Sequence, residues 1–307
     1  MKIVLLGTAA GGGLPQWNCN CANCREARRA RGRVTPRTQS SVAISADGRR
    51  WFLLNASPDL RVQLQNFPPL HPPAHRRRST PVEAVLVTNA DLDHTLGLFL
   101  LREGERLPVH ATPRVRRTLT KDLSLERVLR AFCGVRWITP PRRLAPLVCR
   151  DGSKSGLLYQ AIALPGKPPR FARRERAATA GHCVGYRFID ERTRGSLLFL
   201  PDVAAVDDRI VHLLGGCDVL LFDGTFWSEN EMRRAGVGSV PASKMGHLPV
   251  TGPAGSLKQL AALSSVRHRI YLHINNTNPI LRKGSPEHAA VRAAGLEVGY
   301  DGMQISI

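Results

Sequence analysis

The chain has 307 residues, of which 43% are hydrophobic, and it carries a formal charge of +20 at pH 7. This length and composition exclude a disordered or fibrous protein and predict a globular protein with a sizeable core. The positive charge lies mainly on arginines in segments such as "REARRARGR", "HRRRS" and "RFARRER". These segments lack interleaved aromatic residues and any nucleic-acid motif, so we expect a solvated basic face and no specific nucleic-acid partner.

The amino terminus, "MKIVLLGTAAGGG", predicts a strand and a loop and lacks the pattern of a secretory signal. No sequence window approaches the roughly 18 apolar residues that a membrane span needs. We therefore expect a cytoplasmic protein without membrane insertion.

The first half of the chain alternates short β-rich runs with helical patterns. "KIVLLG", "SSVAISA" and "WFLLNAS" predict strands, and "ADGR" predicts a hairpin turn between the second and the third. "SPDLRVQLQNF" predicts a helix with Ser57 as its N-cap. A strand at "VEAVLVTN", a helix at "HTLGLFLLREG", a strand at "LPVHATP" and a helix at "PRVRRTLTKDL" are predicted next.

The second half repeats this alternation. Strands are predicted at "LLYQAIAL", "CVGYRFID", "SLLFLPD", "CDVLLFDGTF", "HRIYLHI" and "GMQISI", and helices at "DRIVHLLGG", "SLKQLAAL" and "PEHAAVRAAG". Two successive sets of antiparallel strands with helices between them predict two sheets packed face to face and covered by helices. No linker or tandem repeat is evident, so we expect one domain over residues 1–307.

Candidate metal ligands recur where the predicted strands end. They are Asn89, Asp91, Asp93, His94, Asp202, Asp223, His247 and His273. Each of them alone is also compatible with a turn or a helix cap. Ligands that converge from loops at one edge of two sheets can form a coordinating site, and the repetition favours this interpretation.

Three cysteines crowd into the loop "WNCNCANC", at Cys19, Cys21 and Cys24. Because thiolates are favoured zinc ligands and a metal would fix a floppy loop, we expect a structural Zn²⁺ site in residues 17–25. Its fourth ligand must come from elsewhere in the chain. The other cysteines are predicted to be buried apolar residues outside any disulfide: Cys133, Cys149, Cys183 and Cys217.

The stretch "NADLDH" resembles the metallo-β-lactamase superfamily signature His-x-His-x-Asp-His. Asp93 and His94 match it in type, whereas Asn89 and Asp91 stand where the two leading histidines would be. The resemblance implies an α/β (α+β) fold, an αββα sandwich of two mixed sheets with helices on both outer faces.

The same resemblance assigns two later residues. Asp202 falls at the position of the metal-bridging aspartate and His273 at that of the final histidine, while the histidine expected near "ALPGKPPRF" is missing. Fewer imidazoles and an added carboxylate favour oxygen-rich coordination of Fe²⁺, Mn²⁺ or Mg²⁺. His94 and His273, with Asp91 or Asp93, approximate the two-histidine, one-carboxylate arrangement of non-haem iron oxygenases.

The cysteine loop is similar to that of a superfamily relative, the phosphodiesterase of phosphonate breakdown. In that relative the fourth zinc ligand is a histidine three residues after the final active-site histidine. Asn276 occupies this position here. The resemblance therefore leaves Asn276, a neighbouring residue or water to complete the zinc site.

Longer stretches narrow the resemblance further. "GTAAGGGLPQWNCNCANC", "NASPDLRVQL", "DGTFW", "MGHLPV" and "HINNTNP" together resemble the pyrroloquinoline quinone (PQQ) biosynthesis protein B family over the whole chain. The resemblance implies Fe²⁺- and O₂-dependent hydroxylation of the tyrosine-derived ring of the cross-linked Glu-Tyr diamino-acid precursor. His94, His273 and Asp93, with Asp91 or Asp202, would hold the iron or another divalent metal.

The resemblance implies further roles and partners. His247 would bind a substrate carboxylate or shuttle protons. Other PQQ-pathway proteins and a second copy of the chain, in a homodimer, are the expected partners. Two alternatives stay open: a non-catalytic carrier of PQQ or its precursor toward the periplasm, and a metal-dependent hydrolase, which the missing histidines disfavour.

Overall fold

The computed structural model describes residues 1–29, 32–172 and 181–307, so parts of the basic segments "REARRARGR" and "RFARRER" lie outside the described residues. The described strands are β1 (Lys2–Gly7), β2 (Ser41–Ser45), β3 (Trp51–Leu54), β4 (Val82–Leu86), β5 (Leu107–His110), β6 (Val135–Ile138), β7 (Ala145–Val148), β8 (Lys154–Leu164), β9 (Cys183–Asp190), β10 (Ser196–Leu200), β11 (Val219–Asp223), β12 (His268–Leu272), β13 (Glu297–Val298) and β14 (Gln304–Ser306).

The described helices are short. They are α1 (Ala22–Ala27), α2 (Leu60–Asn66), α3 (Leu92–Thr95), α4 (Pro113–Arg117), α5 (Leu125–Arg130), α6 (Asp208–Leu214), α7 (Glu231–Arg234), α8 (Ala242–Met245), α9 (Ser256–Ala261) and α10 (Pro286–Ala293), with 3-10 turns at Pro68–Leu70, Leu96–Leu101 and Pro279–Leu281 and a π-helical turn at Thr118–Asp122. Across the described ranges, none of these helices has the length and apolarity of a membrane span.

The chain forms two compact units, each built from separated segments. The first unit comprises Met1–Gly7, Ser40–Ser196 and Gly302–Ile307, and the second comprises Thr8–Gln39 and Leu197–Asp301. The organisation of residues 1–307 as one domain stays a prediction.

The first unit contains a seven-stranded mixed sheet in the order β14-β1-β2-β3-β4-β5-β6. The strands from β14 to β3 pair antiparallel, and those from β3 to β6 pair parallel. The prediction of antiparallel strands is therefore wrong for β3 to β6. The segments between β3 and β6 contain helices, which return the chain to the starting edge of the sheet, so the next strand runs parallel.

The core of the first unit joins this sheet to α2, α4 and α5. Trp51 of β3, Leu60 of α2 and Leu129 of α5 are all buried in one apolar cluster. Trp51 also meets Phe67 edge to face, with ring centroids 5.2 Å apart. An antiparallel set, β7-β8-β9, completes the strands of this unit.

Two helix predictions for the first unit need correction. Ser57 is not the N-cap of α2, which begins at Leu60 after Asp59. The Ser57 hydroxyl instead accepts from the Asp59 amide and donates to Gln63. The predicted helix at "HTLGLFLLREG" is a short α3 that begins earlier, at Leu92, and continues as a 3-10 turn.

The second unit contains the parallel strands β10, β11, β12 and β13. Here too the antiparallel prediction is wrong, because helices α6, α9 and α10 lie between successive strands and return the chain to the same edge. The carboxyl ends of the strands consequently meet at one edge, where loops can assemble a site.

Candidate metal centres

Three parallel strands of the second unit bring polar side chains to one edge. Asp202 follows β10, Asp223 ends β11 and His273 follows β12. The strand register pairs Leu200 with Phe222 and Asp223 with Leu272, so these positions lie level. A fourth side chain, His247, comes from the loop after α8. The predicted residues Asp202, His247 and His273 therefore reach the same place.

These three side chains form a cluster with the donor set of a metal site. One ligand atom from each of Asp202, His247 and His273 lies within 4.8 Å of the other two. The two imidazole rings stack with centroids 5.5 Å apart, and His273 Nδ1 lies 3.9 Å from Asp202 Oδ1. Two histidines and one carboxylate match the ligands of non-haem Fe²⁺ sites.

A buried carboxylate sets the protonation of both imidazoles. Asp223 Oδ2 lies 2.8 Å from His247 Nδ1, and Asp223 Oδ1 accepts from the Thr225 hydroxyl at 2.6 Å. The hydroxyl oxygen in turn lies 2.9 Å from His273 Nδ1. Because an ionised carboxylate only accepts, the hydrogens run from His273 through Thr225 to Asp223, and from His247 to Asp223.

This arrangement prepares both histidines as ligands. With Nδ1 acting as the donor, each neutral imidazole keeps its lone pair on Nε2, as metal-bound histidines do. Burial alone raises the pKa of Asp223, but His247, His273 and the Thr225 hydroxyl hold it below the usual value. Burial lowers the pKa of His247, but Asp223 reverses this and raises it above the usual value.

The candidate ligands of the first unit lie on and before α3. His94 Nε2 lies 3.6 Å from Asp93 Oδ2, and both residues are in the helix. Asp91 is the residue before the helix, but its side chain does not cap it. The assignment of Asp91, Asp93 and His94 as metal ligands stays a prediction.

His94 is held by a buried amide. Asn55 Oδ1 accepts from the Thr88 backbone N–H at 2.9 Å, which fixes the amide orientation and leaves Asn55 Nδ2 2.5 Å from His94 Nδ1. Nδ1 is then an acceptor and the neutral ring carries its proton on Nε2. Metal binding through His94 Nε2 therefore requires loss of that proton or rotation of the Asn55 amide.

The cysteine loop gathers three thiols in the second unit. The sulfur atoms of Cys19, Cys21 and Cys24 lie within 4.8 Å of one another. The side-chain amide nitrogen of Asn276 lies 3.1 Å from Cys19 Sγ, 3.2 Å from Cys24 Sγ and 3.8 Å from Cys21 Sγ. Oxygen and nitrogen of an amide exchange places by a 180° turn, so Asn276 faces the three sulfurs with the end that could ligate.

The thiols of this loop differ in acidity. Burial raises the pKa of Cys19, but hydrogen bonds from Cys21, Cys24 and Asn276 bring it below the usual value. Burial raises the pKa of Cys21 to about 12. Elsewhere Cys149, Cys183 and Cys217 are buried and outside any disulfide, as predicted, whereas Cys133 is outside any disulfide but only half-buried.

Two residues that support these sites, Thr225 and Asn55, were not among the predicted site residues. Asp223 was predicted as a candidate ligand, but in the structure it anchors His247 and, through Thr225, His273. The sequence signals were the "DGT" at the end of β11 and the asparagine directly after β3, which adopts a left-handed φ of 63°.

Comparison with known proteins gives the family of the chain. Residues 50–274 match the beta-lactamase superfamily domain. The chain is 42% identical to coenzyme PQQ synthesis protein B of Cupriavidus necator, over 100% of this chain and 99% of that protein. It is 44% identical to coenzyme PQQ synthesis protein B of Ruegeria pomeroyi, over 99% of both chains.

Solved structures agree with this family and fold. The crystal structure of Zn²⁺-bound PqqB from Methylobacterium extorquens superimposes with a TM-score of 0.90 at 37% identity, over 100% of both chains. A diphosphatase of the PhnP family shares the fold alone, with a TM-score of 0.66 at 19% identity over 99% of this chain and 96% of that one. The predicted α/β fold of two mixed sheets with helices is thus confirmed. The chain belongs to the coenzyme PQQ synthesis protein B family of the beta-lactamase superfamily.

Proposed function

We propose that this protein acts in the synthesis of coenzyme PQQ, and that it uses Fe²⁺, O₂ and a two-electron reductant to hydroxylate the tyrosine-derived ring of the Glu-Tyr diamino-acid precursor. In each hydroxylation one oxygen atom of O₂ would enter the ring and the other would leave as water. Its family supports the pathway. The observation that carries the reaction is the convergence of Asp202, His247 and His273, with both imidazoles oriented through Asp223.

The donor set fits a divalent metal such as Fe²⁺. Asp202 offers a hard oxygen, and His247 and His273 each offer a neutral Nε2 lone pair. Three protein ligands would leave coordination positions for small molecules, as in iron oxygenases. We also retain Asp91, Asp93 and His94 as the ligands or catalytic residues that the family resemblance implies.

The residues around the cluster would keep its geometry during the reaction. The iron, when bound, would supply the activation of O₂ toward the aromatic ring. Asp223 and Thr225 hold the Nδ1 protons and so leave Nε2 as the metal-binding atom of each ring. Phe226 meets His247 edge to face at 5.8 Å between ring centroids, which limits ring rotation and excludes water from that side.

The decisive experiment is anaerobic reconstitution with Fe²⁺, followed by addition of the diamino-acid precursor, a reductant such as ascorbate, and O₂. Oxygen uptake and product mass are followed in the wild type and in Asp202→Ala and His273→Ala. A mass gain in units of oxygen that both variants lose supports the proposal. His268→Ala is a matched control, because His268 lies on β12 outside the cluster, and it should retain activity.

The same experiment separates the alternatives. Tight binding of precursor or PQQ with no oxygen uptake would contradict the oxygenase and favour the carrier. Fragmentation of the precursor without added oxygen would favour a hydrolase. A parallel His94→Ala variant tests the first-unit ligands, since retention of activity would remove His94 from the catalytic set.

We further propose that the protein works as a homodimer and meets other proteins of the PQQ pathway. Light scattering on the purified chain would give the oligomeric state directly, and a mass of one chain would contradict the dimer. The cytoplasmic location stays a prediction.

A further inference from the structure

A large cavity with a basic wall lies in the second unit, and none of the cluster Asp202, His247 and His273 lines it. Its volume is about 830 Å³. Four arginines line it: Arg25, Arg33, Arg234 and Arg282. Among the lining residues that the structure describes, Glu287 is the one carboxylate.

The four arginines come from four separate places in the chain. Arg25 lies on α1 and Arg33 in the loop after it, Arg234 is the last residue of α7, and Arg282 follows the 3-10 turn before α10. The amino terminus of α10 also borders the cavity through Ser285 and Pro286. The aligned peptide dipoles of this helix add partial positive charge at its amino terminus.

Buried and half-buried carboxylates fix the basic wall. Glu26 accepts from the Arg33 backbone N–H at 2.7 Å with one oxygen and pairs with Arg282 at 2.5 Å with the other. On α7, Glu231 accepts from the Thr277 hydroxyl and from the Trp227 backbone N–H, each at 2.5 Å. The segments that carry the arginines are therefore held in place before any ligand arrives.

The guanidinium groups keep donors available for a ligand. Within the described ranges, the side chains of Arg33 and Arg234 have no hydrogen-bonded or ion-paired partner. Arg25 donates one N–H to the Asn20 carbonyl and Arg282 pairs with Glu26, but each guanidinium carries five N–H groups. Like charges around one cavity repel each other, and a bound anion relieves that repulsion.

We propose that this cavity is a second binding site, for a small oxyanion that carries two or more carboxylate or phosphate groups. Arginine recognises both groups through paired N–H donors. A volume of about 830 Å³ lies in the range of about 300–1,000 Å³ for small-molecule sites. Several separated arginines suit a multivalent anion, because a single carboxylate would contact only some of them.

The test is calorimetric titration of the full-length protein at constant ionic strength. Tricarballylate is the carboxylate probe and fructose 1,6-bisphosphate the phosphate probe, with acetate as a monovalent comparison. We expect saturable binding of at least one multivalent probe and none of acetate. The probe that binds more tightly identifies the chemical group that the cavity prefers.

Matched variants decide whether the cavity is responsible. Arg33→Ala and Arg234→Ala should each weaken binding by about tenfold or more, because each removes a charge-assisted contact. Arg234→Lys keeps the charge but loses the paired donors, so it should fall between wild type and Arg234→Ala. Arg233→Ala is the control, since Arg233 is exposed on the same helix but does not line the cavity.

Two outcomes would overturn the proposal. The first is the absence of saturable binding for both multivalent probes. The second is an equal loss for Arg233→Ala and Arg234→Ala, which would mean that the probes respond only to the overall positive charge. The substituted residues Arg33, Arg233 and Arg234 are exposed, so circular dichroism should show unchanged folding of every variant.

Discussion

His247 Nδ1 lies 2.8 Å from Asp223 Oδ2, and the carboxylate of Asp223 is completely buried. This contact places the proton of the neutral His247 ring on Nδ1. The other carboxylate oxygen, Oδ1, acts through the Thr225 hydroxyl and places the proton of the His273 ring on Nδ1 as well. The ability of His247 and His273 to bind a metal through Nε2 thus depends on Asp223, which is not one of the three proposed ligands.

Asp223→Asn should weaken metal binding at the cluster by about 10- to 100-fold, the usual loss when a residue that orients a metal ligand is changed. The substituted amide presents an N–H to one of its two donors, so one imidazole loses its orientation. Mn²⁺ titration followed by calorimetry measures this, because thiolates of the cysteine loop bind Mn²⁺ poorly. Glu103→Gln, at an exposed carboxylate, is the control, and an unchanged Mn²⁺ affinity in Asp223→Asn would refute the orienting role.

The proposed zinc site in the cysteine loop predicts that Cys24→Ser no longer retains zinc. Loss of one of three thiolates is expected to lower zinc affinity by more than about 100-fold, a larger loss than a supporting residue causes. Zinc retained per chain after dialysis against a chelator gives the result. Cys133→Ser, at a half-buried thiol outside the loop, should retain zinc, and equal retention by both variants would place the zinc elsewhere.

Glu231→Gln should remove the part of the pH dependence of the unfolding free energy that comes from the titration of Glu231. Burial raises the pKa of Glu231 to about 7 from an ordinary 4.5. Between these values the native state binds more protons than the unfolded state, so the free energy of unfolding falls as the pH rises. The expected fall is about 3 kcal/mol for this group.

Urea unfolding of metal-free protein at several pH values from 4.5 to 7 measures this effect. The difference between the wild type and Glu231→Gln isolates the contribution of Glu231 from that of other groups. A wild-type curve that runs parallel to the variant's across this range would contradict the prediction.

Asn55→Ala should destabilise the protein by about 2–4 kcal/mol. The substitution removes buried hydrogen bonds to Thr88 and His94 and places alanine at a φ of 63°, where it is less favourable than asparagine. Urea unfolding monitored by circular dichroism gives the change. Asn66→Ala, at an exposed position on α2, should change stability by less than about 0.5 kcal/mol, and similar losses for the two variants would rule out this explanation.

Strand positions were predictable from the sequence because they depend on local patterns. "KIVLLG" and "CVGYRFID" formed β1 and β9 as expected. Strand direction was not predictable from the sequence, because it depends on which strands become neighbours. The helices between the strands decide this when they bring the chain back to the end of the sheet at which the previous strand began. Strands β6 and β7 were not predicted, because charged residues and prolines in and around them interrupt the apolar pattern.

The candidate site was predictable in part for a similar reason. Asp202 and His273 stood out because each follows an apolar run and can bind a metal, and His247 stood out as a histidine in the loop "KMGHLP". The pairing of Asp223 with His247 joins residues 24 positions apart, and no local pattern records such a contact. The amide contact between Asn55 and His94 likewise exists only after β3 and β4 pair.

The predicted zinc site draws its residues from two segments of the gene that lie far apart. Its cysteine loop lies in Thr8–Gln39, whereas Asn276 lies in Leu197–Asp301, with most of the first unit encoded between them. A recombination event within that intervening stretch would combine the cysteine loop of one ancestor with the Asn276 segment of another. A recombinant gene would therefore preserve the predicted zinc site only when both parental genes encode the same ligands in these two segments.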